Sequence, residues 1–213
     1  ARGGILHVAA VHYAHAVQAA LQAGDFQLAL EHARRGNSCA PDPSTHAWLA
    51  LLSAQARRFR GEHELALQAA EEALRTLSDA ALGHQDRWFE AAAEGASAAF
   101  RVGDLERVEG IAAMLERTTL NTEPRPTQVA MIARVATILL HASRDACALP
   151  LLAWLDRVEQ RFSTDSILTA RISAARGFRA FREGRWLEYR RLSLIGLEGS
   201  ERAGDRRLAA ALR

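Results

Sequence analysis

The amino-acid sequence predicts an all-α protein built as an array of helical hairpins, and three observations carry that reading. Ala, Leu, Arg and Glu, strong helix formers, fill stretches with a 3.6-residue apolar period. Alternating β-branched residues are almost absent, and the chain has only 5 prolines. Short polar breaks recur at Gly24-Asp25-Phe26, Gly61-Glu62-His63, Gly103-Asp104-Leu105, Ser143-Arg144-Asp145 and Gly184-Arg185-Trp186, separated by 37, 42, 40 and 41 positions. A recurring interval near 40 with helix on both sides is the mark of a hairpin repeat.

Each break makes physical sense as the turn inside a hairpin. Its glycine can enter the left-handed region that closes the first helix. The acidic or polar residue behind it can accept from the free N–H groups that open the second. Eleven helices are expected, at about 5–23, 25–39, 44–60, 62–78, 85–102, 104–119, 126–142, 146–162, 165–183, 185–203 and 205–213. Longer polar links separate the hairpins: Ala40-Pro41-Asp42-Pro43-Ser44, Ser78 to His84, Asn121 to Pro126, and Ser163-Thr164-Asp165. Proline at or just before a helix start, as in two of these links, is tolerated because the first N–H groups of a helix have no intrahelical partner. Pro150, early in the eighth helix, is expected to delay its start by a turn. Gly204-Asp205 reads as a turn between repeats, and the last helix as half of a hairpin. Residues 1–213 are thus expected to form a single repeat domain, with repeats at about 5–43, 44–84, 85–125, 126–164 and 165–204 and a stub at 205–213.

Composition narrows the function classes. With 213 residues, 49% apolar and 24% charged, the chain has the balance of a soluble globular protein and the length to bury a core. Disordered, collagen-like and disulfide-scaffold classes are excluded. No run nears the roughly 20 apolar residues that cross a bilayer, and no signal-peptide pattern opens the chain. The expected location is the cytoplasm, with no membrane partner. All 27 basic residues are arginine. The absence of lysine excludes Schiff-base, P-loop and kinase-lysine chemistry, and it fits the coding bias of a GC-rich bacterium. A net charge of +2 is too near neutral for a dedicated nucleic-acid binder. Cys39 and Cys147 have no pairing signature and read as small buried apolar residues in a reducing compartment. The chain opens at Ala1 on a helical pattern and closes at Arg213 inside another, so it reads as a fragment of a larger polypeptide.

Small residues stand at fixed places around the turns. Seven positions before each lie Val17, Ala54, Ala96, Ala136 and Gly177; five after it lie Ala29, Ala66, Val108, Ala148 and Tyr189. The first two units fit best, with Gly24, Asp25, Phe26, Ala29 and Pro41 in one and Gly61, Ala66, Ala70, Ala73 and Leu74 in the other. In these places the chain resembles the tetratricopeptide repeat, whose frame is about 34 residues. Later repeats are longer, with Ser143 in place of a glycine and Tyr189 in place of an alanine. The runs 19–36, 58–77 and 94–116 are also similar to the C-terminal repeat region of large bacterial serine/threonine kinases, where a kinase domain and a STAND-type ATPase precede the array. The resemblance implies a right-handed superhelical α-solenoid of about five hairpins plus a truncated last helix. It also implies that any kinase or ATPase activity lies in other parts of a parent chain.

Little else suggests chemistry. His12 and His15 lie one turn apart, with His7 before them and His32 on the next helix, a spacing that could begin a metal site. Without HExxH or a nearby cysteine or carboxylate they read as helix-surface or interhelix histidines. There is no G-x-S-x-G elbow, no G-x-G-x-x-G and no P-loop. Glu71 and Glu72 are expected on an exposed face, with Glu71 pairing Arg75. Trp48, Trp88, Trp154 and Trp186 read as packing anchors. No catalytic, cofactor-binding or metal-binding residue is therefore expected, and no enzyme activity.

Charge is uneven, with 16 Arg and 19 acids in residues 1–163 against 11 Arg and 6 acids in 164–213. Arg171, Arg176, Arg179 and Arg182 fall within about 140° of one helix. They form either a solvated face that meets acids of a further repeat or a docking patch for an acidic peptide or other anion. Without interleaved aromatics, nucleic acid is not the expected partner.

Stacked hairpins curve so that the first helix of each pair lines the inner wall. Projecting the resembling family's inward-facing places onto the chain selects Gln18, Gln55, Arg58, Ser97, Arg101, Thr137, His141, Arg171, Phe178 and Arg182. An arginine-bearing groove suits an acidic segment. The expected function is a non-catalytic protein-protein interaction or scaffolding module of a larger bacterial signalling protein. Its partner would be a protein or acidic peptide segment, including other domains of the same chain. The alternative is a regulatory array of a STAND-type ATPase or kinase that senses a small anionic ligand. Ala14, Ala93, Ala133 and Ala174 occupy several places where relatives grip a terminal carboxylate, so that grip is not expected.

Overall fold

A computed structural model describes residues 2–79, 86–119 and 123–212, the side chains of 2–5, 79, 206, 207 and 211 excepted. Among the described residues the chain is all-helical. In order come α1 (Arg2–Ala23), α2 (Phe26–Ser38), α3 (Pro43–Phe59), α4 (His63–Asp79), α5 (Asp86–Val102), α6 (Leu105–Thr119), α7 (Pro126–His141), α8 (Asp145–Val158), α9 (Ser166–Arg182), α10 (Trp186–Arg202) and α11 (Arg206–Leu212). A 3-10 turn, Glu159–Phe162, follows α8. None of the described helices is long and apolar enough to cross a membrane.

The all-α class is thus the one the periodicity predicts, and outside α1 and α8 each helix end lies within one residue of its expected place. α1 begins earlier than expected, at Arg2. α8 begins at Asp145 and contains Pro150, so the proline does not delay its start. Pro150 leaves the Ala146 carbonyl without its intrahelical donor, a loss α8 tolerates because Leu151, Leu152, Trp154 and Leu155 are all buried just beyond it. The same helix tightens to 3-10 geometry at Glu159–Phe162, where no residue is buried to hold a wider turn. The links expected at 78–84 and 121–126 fall partly on 80–85 and 120–122, outside the described residues.

One turn closes helix after helix. Gly24, Gly61, Gly103, Gly184 and Gly204 take φ between 72° and 83°, and Ser143 takes 57° in the same role. In each case the next residue's N–H donates to the carbonyl five residues back: Asp25 to Ala20 at 2.9 Å, Glu62 to Arg57 at 2.9 Å, Asp104 to Ala99 at 2.9 Å, Arg144 to Leu139 at 2.8 Å, Arg185 to Ala180 at 2.8 Å and Asp205 to Ser200 at 2.9 Å. This satisfies carbonyls that a helix end otherwise leaves open. The aspartates then begin the next helix. Asp25, Asp104 and Asp205 each accept through Oδ1 from the N–H three residues on, at 2.9, 3.1 and 3.1 Å. The turn at Gly204-Asp205, expected between repeats, has the same hydrogen bonds as those within hairpins.

The links use side-chain caps. Asp42 Oδ1 accepts from Ser44 N–H at 2.9 Å and Thr45 N–H at 3.2 Å. Burial alone would raise its pKa, but bonds from Thr45 and Ser44 and the nearby His7 hold its carboxyl below the ordinary value. Asp165 caps α9 through Ile167 and Leu168 N–H, both at 3.0 Å. Gln128, fully buried, accepts from Arg125 N–H at 3.3 Å just before Pro126 opens α7.

The chain divides into two compact units, Ala1–Arg107 and Val108–Arg213. In the first, α1 to α5 pack in chain order, and α1 also meets α3 and α3 meets α5. The first helices of hairpins therefore form one layer. Its core joins Val17, Leu49 and Leu52 to Ala14, Ala29, Ala33 and Ala56. In the second unit α7 meets α8 and α9, α9 meets α10, and α10 meets α11. Here Gly199 of α10 lies so near α9 that an added Cβ would stand 2.7 Å from the Ser166 carbonyl oxygen and 3.0 Å from Ala170 Cβ. All five small residues before the turns are buried, from Val17 to Gly177, and so are Ala29, Ala66, Val108 and Ala148 after them, whereas Tyr189 is only half-buried.

Two stability changes follow. Gly199→Ala should lower the urea-unfolding free energy by about 1–3 kcal/mol through overpacking. Ala40→Gly should raise it, by up to about 1 kcal/mol, because Ala40 holds φ 47° at no benefit from its Cβ.

Candidate functional site

In the first unit the expected binding residues lie on first helices. Gln18 and Arg101 are exposed, while Gln55 and Ser97 are half-buried. Arg58 is already engaged. Its Nε donates to Glu94 Oε2 at 2.6 Å and Nη2 to Oε1 at 3.4 Å, and its guanidinium carbon lies 4.2 Å from the Phe59 ring centroid. The Glu94 side chain is only 5% exposed, and Arg58 supplies a counter-ion to it. Arg101 has no ion pair among the described residues.

Further along α3 and α5 lies a second group, whose members Arg87 and Glu90 the sequence reading did not single out. Trp48 of α3 meets His15 of α1 in a T-shaped contact at 4.9 Å between centroids, and the Arg87 guanidinium of α5 lies 4.2 Å from the Trp48 ring centroid. One turn along α5 is Glu90. Burial pushes its carboxyl above the ordinary value, the Asp86 charge pushes the same way, Arg87 partly offsets this, and Glu94 adds to it. The signal was present: Asp86, Glu90 and Glu94 recur every fourth residue, which places them on one helix face. Ser97 and Arg101 continue that face, at seven and eleven positions from Glu90. The α5 stripe therefore carries a half-buried carboxylate at one end, an internal ion pair in the middle and an open cation at the other. By the helical rise the ends are about 16 Å apart.

In the second unit the expected residues lie on α7 and α9. Thr137 donates to its own helix, at Ala133 O, 2.9 Å away. Arg171 pairs with Asp205 at 3.0 Å. Thr137 and Arg171 come together at a small hollow of about 170 Å³ that also involves Ala133, Ala174 and Leu208. The small side chains at Ala133 and Ala174 leave that space open. His141 and Phe178 meet ring to ring at 3.9 Å, and the aromatic contacts continue through Phe181 at 5.9 Å to Trp186 at 5.2 Å and Tyr189 at 5.3 Å. Arg182 pairs with Asp145 at 2.9 Å and donates to Ser143 Oγ at 3.1 Å.

The arginine row on α9 is neutralised within the unit. Besides Arg171 and Arg182, Arg176 holds both Asp156 and Glu159 at 2.6 Å, and Arg179 holds Glu183 at 2.7 Å. Asp205, the partner of Arg171, lies just beyond α10, which is where an acid of a further repeat was expected. Two smaller expectations change. Glu71 pairs with Arg107, not Arg75, because the next hairpin brings a guanidinium to it. Trp88 and Trp154 are packing anchors, at 4% and 5% exposure, and Trp48 is half-buried, but Trp186 is 60% exposed.

The histidines near the chain start separate to different partners. His7 meets Asp42 at 2.9 Å, His15 meets Trp48, and His32 lies 6.1 Å from Tyr13. Among the described residues no group of three or more His, Cys, Asp or Glu is gathered to hold a metal ion. Cys39 and Cys147 are free thiols, each half-buried.

Arg58→Ala should destabilise the chain by about 3 kcal/mol, because it takes a counter-ion from the buried Glu94 charge, while the double change Arg58→Met with Glu94→Met should cost clearly less. Glu90 binds protons more tightly folded than unfolded, so its contribution is full below its unfolded pKa and is lost as pH rises through the folded one. Glu90→Gln should therefore raise the melting temperature at neutral pH and leave it unchanged near pH 3, below both values. No family model matches the chain, and no curated protein matches it.

Proposed function

We propose that the chain is a non-catalytic protein-interaction module, a right-handed stack of about five tetratricopeptide-like hairpins and a stub whose first helices present the binding face. The observation that carries this reading is the α5 stripe. Glu90 is a half-buried carboxylate that gains from a donor, and Arg101 is an exposed guanidinium that gains from a carboxylate. A polypeptide segment supplies both at once: about five extended residues span the roughly 16 Å between them. A small anion would use Arg101 alone. The partner is thus a protein or peptide segment, acidic where it meets Arg101. Arg58, Arg171 and Arg182 act first as counter-ions inside the module, so the groove is less basic than its arginine content suggests. The resemblance of the repeats supports a scaffolding arm of a cytoplasmic bacterial signalling protein, with catalysis in other domains.

Affinity capture from a lysate of the source organism tests this, with wild-type chain, Arg101→Glu and Arg75→Glu as baits. Arg75 is exposed on α4, a second helix, and serves as the control. The expected result is one protein retained by wild type and Arg75→Glu and lost with Arg101→Glu, cross-linking to α5. Equal retention by all three baits would sink the assignment of the face. A small anionic metabolite that saturably raises the melting temperature, with no protein retained, would replace the module by a ligand sensor.

A further inference from the structure

A second surface lies on α10, apart from the first-helix face. The three most exposed large apolar side chains among the described residues are all there: Leu187 at 86%, Trp186 at 60% and Leu194 at 57%. Leu187 and Leu194 are the third and tenth residues after the turn glycine. The same places hold Gln27 and Arg34 on α2, Glu64 and Glu71 on α4, Glu106 and Ala113 on α6, and Ala146 and Ala153 on α8. A second helix of this chain therefore has no structural need for leucine at either place. Two bare leucines seven residues apart face solvent without stabilising the fold, which is the signature of an interaction stripe.

The charges on the stripe define its partner. Its exposed residues run Leu187, Arg190, Arg191, Leu194, Glu198, Glu201. Arg190 and Arg191 precede Leu194, while Glu198 and Glu201 follow it with Arg202 beside Glu198. Arg190 and Arg191 have no ion pair among the described residues, and Glu198 has a loose one, with Arg202 at 3.5 Å where both side chains are more than two-thirds exposed. An acidic helix would complement one half of such a stripe and oppose the other, and a basic helix would do the reverse. The same stripe run antiparallel complements both.

We infer that α10 is a self-association surface, on which two copies of the chain pair antiparallel about a twofold axis at Leu194. In that register Arg190 faces Glu198 of the partner subunit, Leu194 meets Leu194 of the partner subunit, and Leu187 lies along the side-chain stem of Glu201 of the partner subunit. A shallow hollow of about 380 Å³ beside Leu194, bordered by Ile195 and Leu197, is where the incoming leucine seats. A parallel pair would set arginine on arginine and acid on acid. The contact is isologous, so it closes at two copies.

Sedimentation equilibrium over a wide concentration range tests this, with far-UV circular dichroism confirming that each variant stays helical. Wild type is expected to be a reversible dimer. Leu194→Glu and Arg190→Glu should each weaken it by roughly tenfold or more. The double change Arg190→Glu with Glu198→Arg should recover most of the loss, because it exchanges the two ends of the same pair. A wild-type chain that keeps the mass of one copy throughout overturns the proposal. So does a dimer untouched by Leu194→Glu, or a double exchange no tighter than Arg190→Glu alone. All substituted side chains are exposed, so loss of association is separable from loss of folding.

Discussion

The chain depends on one turn made six times. A residue held at positive φ lets the next N–H reach back to the carbonyl five residues before it, and this closes a helix without open carbonyls. Glycine fills five of the six places because an L side chain there costs about 1 kcal/mol or more. Ser143 bears that cost at the sixth, and its hydroxyl accepts from Arg182. Where aspartate follows, the same dipeptide ends one helix and caps the next, so chain reversal is settled locally. Packing then has only to choose which faces meet.

Those faces meet closely because they are small. Alanine dominates the first unit's interior, and glycine at position 199 lets α10 lie against the α9 backbone. Small interfaces leave long polar side chains at the margins, where arginines and carboxylates from neighbouring helices find one another. Glu94 is the extreme case, since its burial makes Arg58 a structural residue. The same pairing neutralises the α9 arginines. Many of the 27 arginines are thus held in internal pairs, and Arg101 on α5 and Arg190 and Arg191 on α10 are among those that, in the described residues, are not.

The two surfaces differ in kind. The α5 stripe is polar, with a half-buried carboxylate and an open guanidinium at fixed separation, suited to a segment that supplies a donor and a carboxylate. The α10 stripe is apolar at its centre and antisymmetric in charge, suited to its own copy. One lies on a first helix in the first unit and the other on a second helix in the second. Changing Arg101 and changing Leu194 therefore address separate events.

The sequence by itself determined the helices, their order and nearly all their ends, because the turn is encoded in two adjacent residues and the apolar period is local. It also located Arg101, Arg171, His141 and Phe178 on first helices, though not the contact between the last two. It misplaced the meaning of Arg58 and the α9 row, since a charge pattern along one helix is silent about the carboxylates that another brings to it. Trp186 shows the same limit: at a helix start a tryptophan looks like an anchor, and only the neighbours decide whether anything covers it. The delay expected from Pro150 failed because buried leucines beyond it outweigh one lost hydrogen bond. Local backbone chemistry was legible one residue at a time; which side chains are neutralised, covered or left open depends on contacts between helices far apart in the chain, and only the tertiary structure decided them.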